Sequence, residues 1–100
     1  MFRTVDASAV LAEARRRIDC LDEQIVRLLD QRFTLCIEIG RQKRILGIPA
    51  TDPKRVQVVL RNAERWGRET GIQAEFCRAV YELVLGEAAR LESEIITSLD

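Results

Sequence analysis

From residue 11 onward the apolar side chains return at alternating steps of three and four: Leu11, Ala14, Ile18, Leu21, Ile25, Leu28 and, after an interruption at Arg32, Leu35 and Ile39. This spacing keeps one face of an α-helix apolar. The stretch holds no proline and Gly40 is its one weak point, so the pattern predicts a single helix from about Asp6 to Arg44. Leu46-Gly47-Ile48-Pro49-Ala50 breaks it. Asp52-Pro53 then restarts the chain as an N-cap followed by proline at the first helical position. The second helix carries Val56, Val59, Leu60 and Ala63 on one face, and Gly67 and Gly71 are expected to loosen and end it. A third helix, from about Gln73 to Ser98, has Phe76, Val80, Val84, Ala88, Leu91 and Ile95 as its stripe. No strand pattern, repeat or low-complexity tract interrupts this reading. The fold class is therefore all-α: one domain over residues 1–100, with three helices and a very long first one. At about 1.5 Å per residue that helix runs close to 58 Å, too long for the core of a compact chain of this size. A partner is expected to cover it, in a homodimer of intertwined chains.

Charge and composition narrow the chemistry. Sixteen basic residues balance sixteen acidic ones, so no global field draws the chain to nucleic acid or to a membrane. Its cations must act locally. Histidine is absent, which removes the commonest general base and metal ligand together with every Ser-His and Cys-His nucleophile scheme. Cys20, Cys36 and Cys77 are odd in number and far apart, matching neither a disulfide framework nor a zinc site. They read as small hydrophobes of a reducing cytosol. Met1-Phe2-Arg3-Thr4-Val5-Asp6 lacks a signal-peptide core, and no apolar run approaches the roughly 20 residues a bilayer demands. The expectation is a soluble, cytoplasmic protein.

Arg32 stands in the apolar seam itself, and an unpaired buried cation is strongly disfavoured. Two readings remain open. Arg32 either fixes helix register by pairing with a carboxylate such as Asp22 or Glu23 of a neighbouring helix, or it receives an anionic ligand. With Arg15, Lys43, Asp52, Arg55 and Glu92 it forms a constellation suited to a small dicarboxylate. Arg32 and Lys43 are eleven residues apart, so both face the same way about 16 Å apart along the axis, within reach of one small ligand. Arg15 lies about 100° out of phase with Arg32 and roughly 25 Å from it along the axis. If Arg15 joins the site, it must arrive from a second subunit. Otherwise it belongs to the solvated run Arg15-Arg16-Arg17. The remaining members also have ordinary readings: Lys43 as a complement to a helix C-terminus, Asp52 as an N-cap, Glu92 as a surface glutamate beside Ala88 and Ala89. Arg55, in the first turn of helix two, favours an anion nearby because the free N–H groups and the dipole add to its charge. Trp66 and Arg65 read as core edge and solvated face.

Order and spacing of Arg15-Arg16-Arg17-Ile18-Asp19-Cys20-Leu21-Asp22, Leu28-Leu29-Asp30-Gln31-Arg32, Ile39-Gly40-Arg41-Gln42-Lys43 and Ile48-Pro49-Ala50-Thr51-Asp52-Pro53-Lys54-Arg55 resemble the all-helical chorismate mutase family over about residues 11 to 96. The resemblance implies an interlaced dimer with two shared sites. It further implies that Arg15 of one chain and Arg32 of the other hold the substrate carboxylates, that Lys43 bonds the ether oxygen, that Arg55 supports the anionic end, and that Asp52 closes the hydroxyl side. Lys43, Glu92 and Arg32 are then the catalytic residues. The implied reaction turns chorismate into prephenate, a step of aromatic amino acid biosynthesis. It is one pericyclic event, which needs positioning and charge stabilisation but no nucleophile, metal or cofactor.

Three positions depart from the family pattern. Val56 stands where a glutamate often contacts the C4 hydroxyl, Ala88 replaces a common serine, and Glu92 replaces the glutamine that is the second donor to the ether oxygen. These positions also belong to the implied substrate-binding set. Relatives that split isochorismate into salicylate and pyruvate tend to lack the same glutamate and carry a similar Arg-Trp pair, here Arg65-Trp66. Isochorismate pyruvate-lyase and 4-amino-4-deoxychorismate mutase activities are therefore alternatives, as is a noncatalytic helical dimerisation module. Asp52 and the length of the loop from Lys43 to Arg55 favour the mutase.

Overall fold

Asp6 opens the first helix by accepting the backbone N–H of Ser8 at 3.0 Å, satisfying one of the amides a helix start leaves without an intrahelical partner. The computed structural model describes residues 6–98; residues 1–5, including most of the stretch read as lacking a signal-peptide core, and residues 99–100 lie outside them. Helix α1 runs Ala7–Leu46, α2 Pro53–Thr70 and α3 Ala74–Ile96, in the order the hydrophobic pattern predicts and within a few residues of its limits. None of these helices is long and apolar enough to cross a membrane.

The chain forms two compact units, the first reaching to Arg32 and the second beginning at Phe33. In the first unit, α1 displays its apolar stripe. Leu11, Ile18, Leu21, Ile25 and Leu28 are each between 51% and 62% exposed, well short of the burial that favours such side chains. Its polar residues pair along the helix: Glu13 with Arg16 and Arg17, and Glu23 with Arg27.

The second unit holds the core. Val59, Leu60 and Ala63 of α2 and Val84 and Ala88 of α3 are buried, so α2 and α3 pack through the faces the sequence assigns to them. A guanidinium from α3 reinforces the pair: Arg78 donates to Glu64 of α2 at 2.8 Å and to Glu82 on its own helix at 3.0 Å. The Glu64 hydrogen bond is the main cause that raises the Arg78 pKa above its ordinary value. The outer positions of the α3 stripe are open, with Phe76 60% and Val80 36% exposed.

Two expectations are corrected. Gly67 does not loosen α2; it lies buried inside the helix, and a Cβ there would meet Cys77 Sγ at 2.8 Å and the Ile72 carbonyl oxygen at 2.9 Å. The glycine is required by close approach of α3 and the chain leading into it. Gly71 alone ends α2, at φ 79 in the left-handed region, with its own N–H and that of Ile72 both turned to the Gly67 carbonyl. Trp66 is 47% exposed rather than a core-edge residue, with the Arg65 guanidinium 5.8 Å from its ring centre.

Two glycine-to-alanine changes should therefore shift stability in opposite directions. Gly67→Ala introduces overpacking of about 1–3 kcal/mol, which exceeds the roughly 1 kcal/mol helix gain, so its unfolding midpoint in urea should fall. Gly86→Ala, in a helical position with nothing within 4 Å of the new Cβ, should raise it by the helix gain of about 1 kcal/mol. Equal shifts for the two would show that the contacts around Gly67 are wrong.

Candidate active site

Lys43 lies in the last turn of α1, next to Arg44, and its side chain is only 19% exposed. A half-buried ammonium needs acceptors. It finds two: the carbonyl oxygen of Ala50 at 2.9 Å, in the loop between α1 and α2, and Oε1 of Glu92 at 3.5 Å, on α3. The Glu92 side chain is 13% exposed, so the surface-glutamate reading fails. Such a sheltered ion pair is screened less by salt than the pairs along the solvated faces.

Backbone geometry makes the pair possible. Gly40 is the buried residue of α1, one helical turn before Lys43 and on the same side. A Cβ at Gly40 would meet the Glu92 Cα at 3.2 Å and the Ile95 Cβ at 3.5 Å, so α3 passes close against α1 just where Glu92 faces Lys43. Ala88, buried one turn before Glu92, adds only a methyl group on that side of α3. Gly40, read from sequence as a weak point, is thus a contact surface.

The loop delivers a second group of predicted residues. Asp52 caps α2, its Oδ1 accepting the Arg55 backbone N–H at 3.2 Å, and Pro53 takes the first helical position. The cap role of Asp52 holds. Arg55 is exposed in that first turn, and among the described residues its guanidinium has no carboxylate partner. Val56 follows it, half-buried. Lys43, Asp52, Arg55, Val56, Ala88 and Glu92 all belong to the second unit.

The other two predicted residues belong to the first unit. Arg32 is half-buried, as its place in the seam requires. Arg15 is exposed, and among the described residues it has no ion-pair partner, although its neighbours Arg16 and Arg17 both turn to Glu13. Chemically, the second unit offers a sheltered ammonium with a carboxylate beside it and an unpaired guanidinium at a helix start. These groups can bind an anion and stabilise developing negative charge. Among the described residues no three His, Cys, Asp or Glu side chains cluster as a metal site.

Sequence reasoning missed Ala50 and Gly40. The Ala50 contribution is a backbone carbonyl, which residue type does not reveal. Gly40 had a signal: a glycine inside a long helix, three residues before a candidate catalytic lysine, is tolerated only where something approaches closely.

Residues 14–93 match the family model for chorismate mutase type II. A 4-amino-4-deoxychorismate mutase of Streptomyces pristinaespiralis is 34% identical over 92% of this chain and 71% of its own length. A second protein of that name, from Streptomyces venezuelae, is 28% identical over 87% of this chain and 84% of its own. A chorismate mutase of Methanocaldococcus jannaschii is 24% identical over 86% of this chain and 87% of its own. With four-fifths of its residues inside the family match, this chain belongs to the chorismate mutase type II family.

Proposed function

We propose that this chain is a mutase that rearranges chorismate to prephenate, with Lys43 as the central catalytic group. The observation that carries the proposal is the Lys43 ammonium, held by Ala50 and Glu92 in a partly dry setting where a preorganised donor stabilises charge on an ether oxygen far better than water does. In the rearrangement one C–O bond breaks as one C–C bond forms, and negative charge grows on that oxygen in the transition state. Arg32, Arg55 and Arg15 bind the substrate carboxylates, and Asp52 lies on the hydroxyl side. Glu92 lies beside Lys43 at the ether oxygen, where an acid can donate and a carboxylate can orient the ammonium. No cofactor takes part, because the reaction is unimolecular and redox-neutral. The three free thiols suit a cytoplasmic enzyme.

The functional unit in this proposal is a homodimer with composite sites. Support comes from the exposed stripe of α1, which spans Leu11 to Leu28, and from the single-chain core, which is small for a hundred residues. A second chain laid along the stripe covers it and brings an Arg15 to the partner's site.

A second substrate reading has its own support. Two relatives are 4-amino-4-deoxychorismate mutases, and Val56 offers no acceptor to the C4 substituent of either substrate, so it does not oppose this reading more than the first. On that reading the same pericyclic step runs on the amino-substituted substrate, whose nitrogen needs only acceptors when protonated, and Asp52 supplies one.

Incubating the protein with chorismate, 4-amino-4-deoxychorismate and isochorismate separately, and separating the products by chromatography, decides among these readings. Prephenate formation supports the first. Turnover of the amino compound alone replaces it with the second, and salicylate with pyruvate from isochorismate overturns both. For the substrate that reacts, Lys43→Ala should lower kcat/KM by about 10²–10³-fold while circular dichroism stays native. Full activity in that variant would remove Lys43 from the mechanism. The shared site makes a separate forecast: mixing Arg15→Ala chains with Arg32→Ala chains should recover part of the activity each lacks, because one site of each heterodimer holds both arginines. A fully active monomer in analytical ultracentrifugation contradicts the dimer.

A further inference from the structure

Both long helices before α3 end on a left-handed glycine, and the two ends differ in one informative way. At the end of α1, Gly47 has φ 68; its N–H reaches the Arg44 carbonyl at 3.4 Å, and the Ile48 N–H reaches the Lys43 carbonyl at 2.9 Å. At the end of α2, Gly71 has φ 79, and the Ile72 N–H reaches the Gly67 carbonyl at 2.9 Å. Both are turns in which the second residue beyond the helix bonds back five positions. In α2 the residue receiving that bond is a glycine, which has no side chain for the turn to position. In α1 it is Lys43.

The α1 turn therefore grips Lys43 at two places. The Ile48 amide holds its backbone carbonyl, and three residues after Gly47 the chain has reversed far enough for the Ala50 carbonyl to hold its ammonium at 2.9 Å. An ammonium has three donors. Ala50 takes one, Glu92 from α3 lies on a second at 3.5 Å, and one remains for a ligand. Neither Gly47 nor Gly71 has any atom within 4 Å of an added Cβ, so alanine at either position meets no steric clash and acts through backbone strain alone.

We propose that Gly47 is a positioning residue for the reaction: its left-handed turn carries the Ala50 carbonyl onto the Lys43 ammonium and so fixes the direction of the remaining donor. The inference rests on the role given to Lys43 above. Gly71 supplies the matched control, since it has the same conformation and open surroundings but no catalytic side chain at the other end of its bond.

The test compares Gly47→Ala, Gly47→Asn and Gly71→Ala in the full chain. Gly47→Ala and Gly71→Ala should lower the melting temperature by similar amounts. Only Gly47→Ala should also lower kcat, by about tenfold to a hundredfold, with a smaller change in KM. Gly47→Asn should restore most of it, because asparagine tolerates the left-handed region. In a Lys43→Ala background Gly47→Ala should cost no further turnover. An equal loss of kcat from Gly47→Ala and Gly71→Ala, or an undiminished loss in the Lys43→Ala background, overturns the proposal. A readout without substrate separates this inference from the assigned function. The chain has two lysines, Lys43 and exposed Lys54, so a Lys54→Arg protein leaves one side-chain ammonium signal in ¹H–¹⁵N spectra at low temperature. That signal should be visible with Gly47 or with Gly71→Ala, vanish by fast exchange in Gly47→Ala and return in Gly47→Asn. A signal indifferent to Gly47 overturns the inference. One that follows Gly47 in a protein that turns over none of the three substrates supports the grip and overturns the function.

Discussion

The contact between the Lys43 ammonium and the Glu92 carboxylate organises the second unit of this protein. Two opposite charges taken largely out of water stay there only when each has a partner, so the contact constrains every element that supplies its surroundings. It requires α3 to approach α1 closely, and Gly40 leaves the room. It requires a further acceptor for the ammonium, and the turn after α1 brings the Ala50 carbonyl. It also requires that α3 be held in place. The interdigitated faces of α2 and α3, with Arg78 bridging to Glu64 and Gly67 allowing close approach, supply that support.

Much of this was legible in the sequence because it depends on local rules. Asp52-Pro53 is both a cap and a start signal, and Asp52 accepts the Arg55 amide as the rule requires. Gly71 in the left-handed region is a helix stop that tertiary structure had no reason to override. The apolar faces of α2 and α3 follow from their spacing, and Val59, Leu60, Ala63, Val84 and Ala88 are buried accordingly. What escaped depends on which surfaces meet. Gly67 looks like a loosening residue until Cys77 and Ile72 are set against it, and Trp66 reads as core edge although it is 47% exposed beside Arg65. Within the site, the charged members were readable from residue type and resemblance. The Ala50 carbonyl was not, since every residue carries one and only the path of the chain selects it.

The first unit poses the complementary problem. Its stripe from Leu11 to Leu28 repeats as regularly as any in the chain, yet each large apolar member is more than half exposed. Arg15 lies beside that stripe and, unlike Arg16 and Arg17, does not turn to Glu13. The proposed dimer accounts for both observations with one partner surface: the stripe gains cover, and the unpaired guanidinium gains a substrate carboxylate. Family membership and the sheltered lysine point to the same chemistry, in which a folded dianion is held while charge moves onto one oxygen.

Glu92 decides how the Lys43 ammonium meets the substrate. As a carboxylate it pairs with Lys43, competes with the substrate for that ammonium, and has no proton to give the ether oxygen. An amide at this position carries no charge to hold Lys43 and donates through its own N–H. Both effects have the same sign, so the measurement that tests the account most directly is kcat/KM of Glu92→Gln beside that of the wild type under one set of conditions. The amide should give the faster enzyme. An unchanged kcat/KM would contradict the account, leaving the Lys43–Glu92 pair as a structural contact with no part in the chemistry.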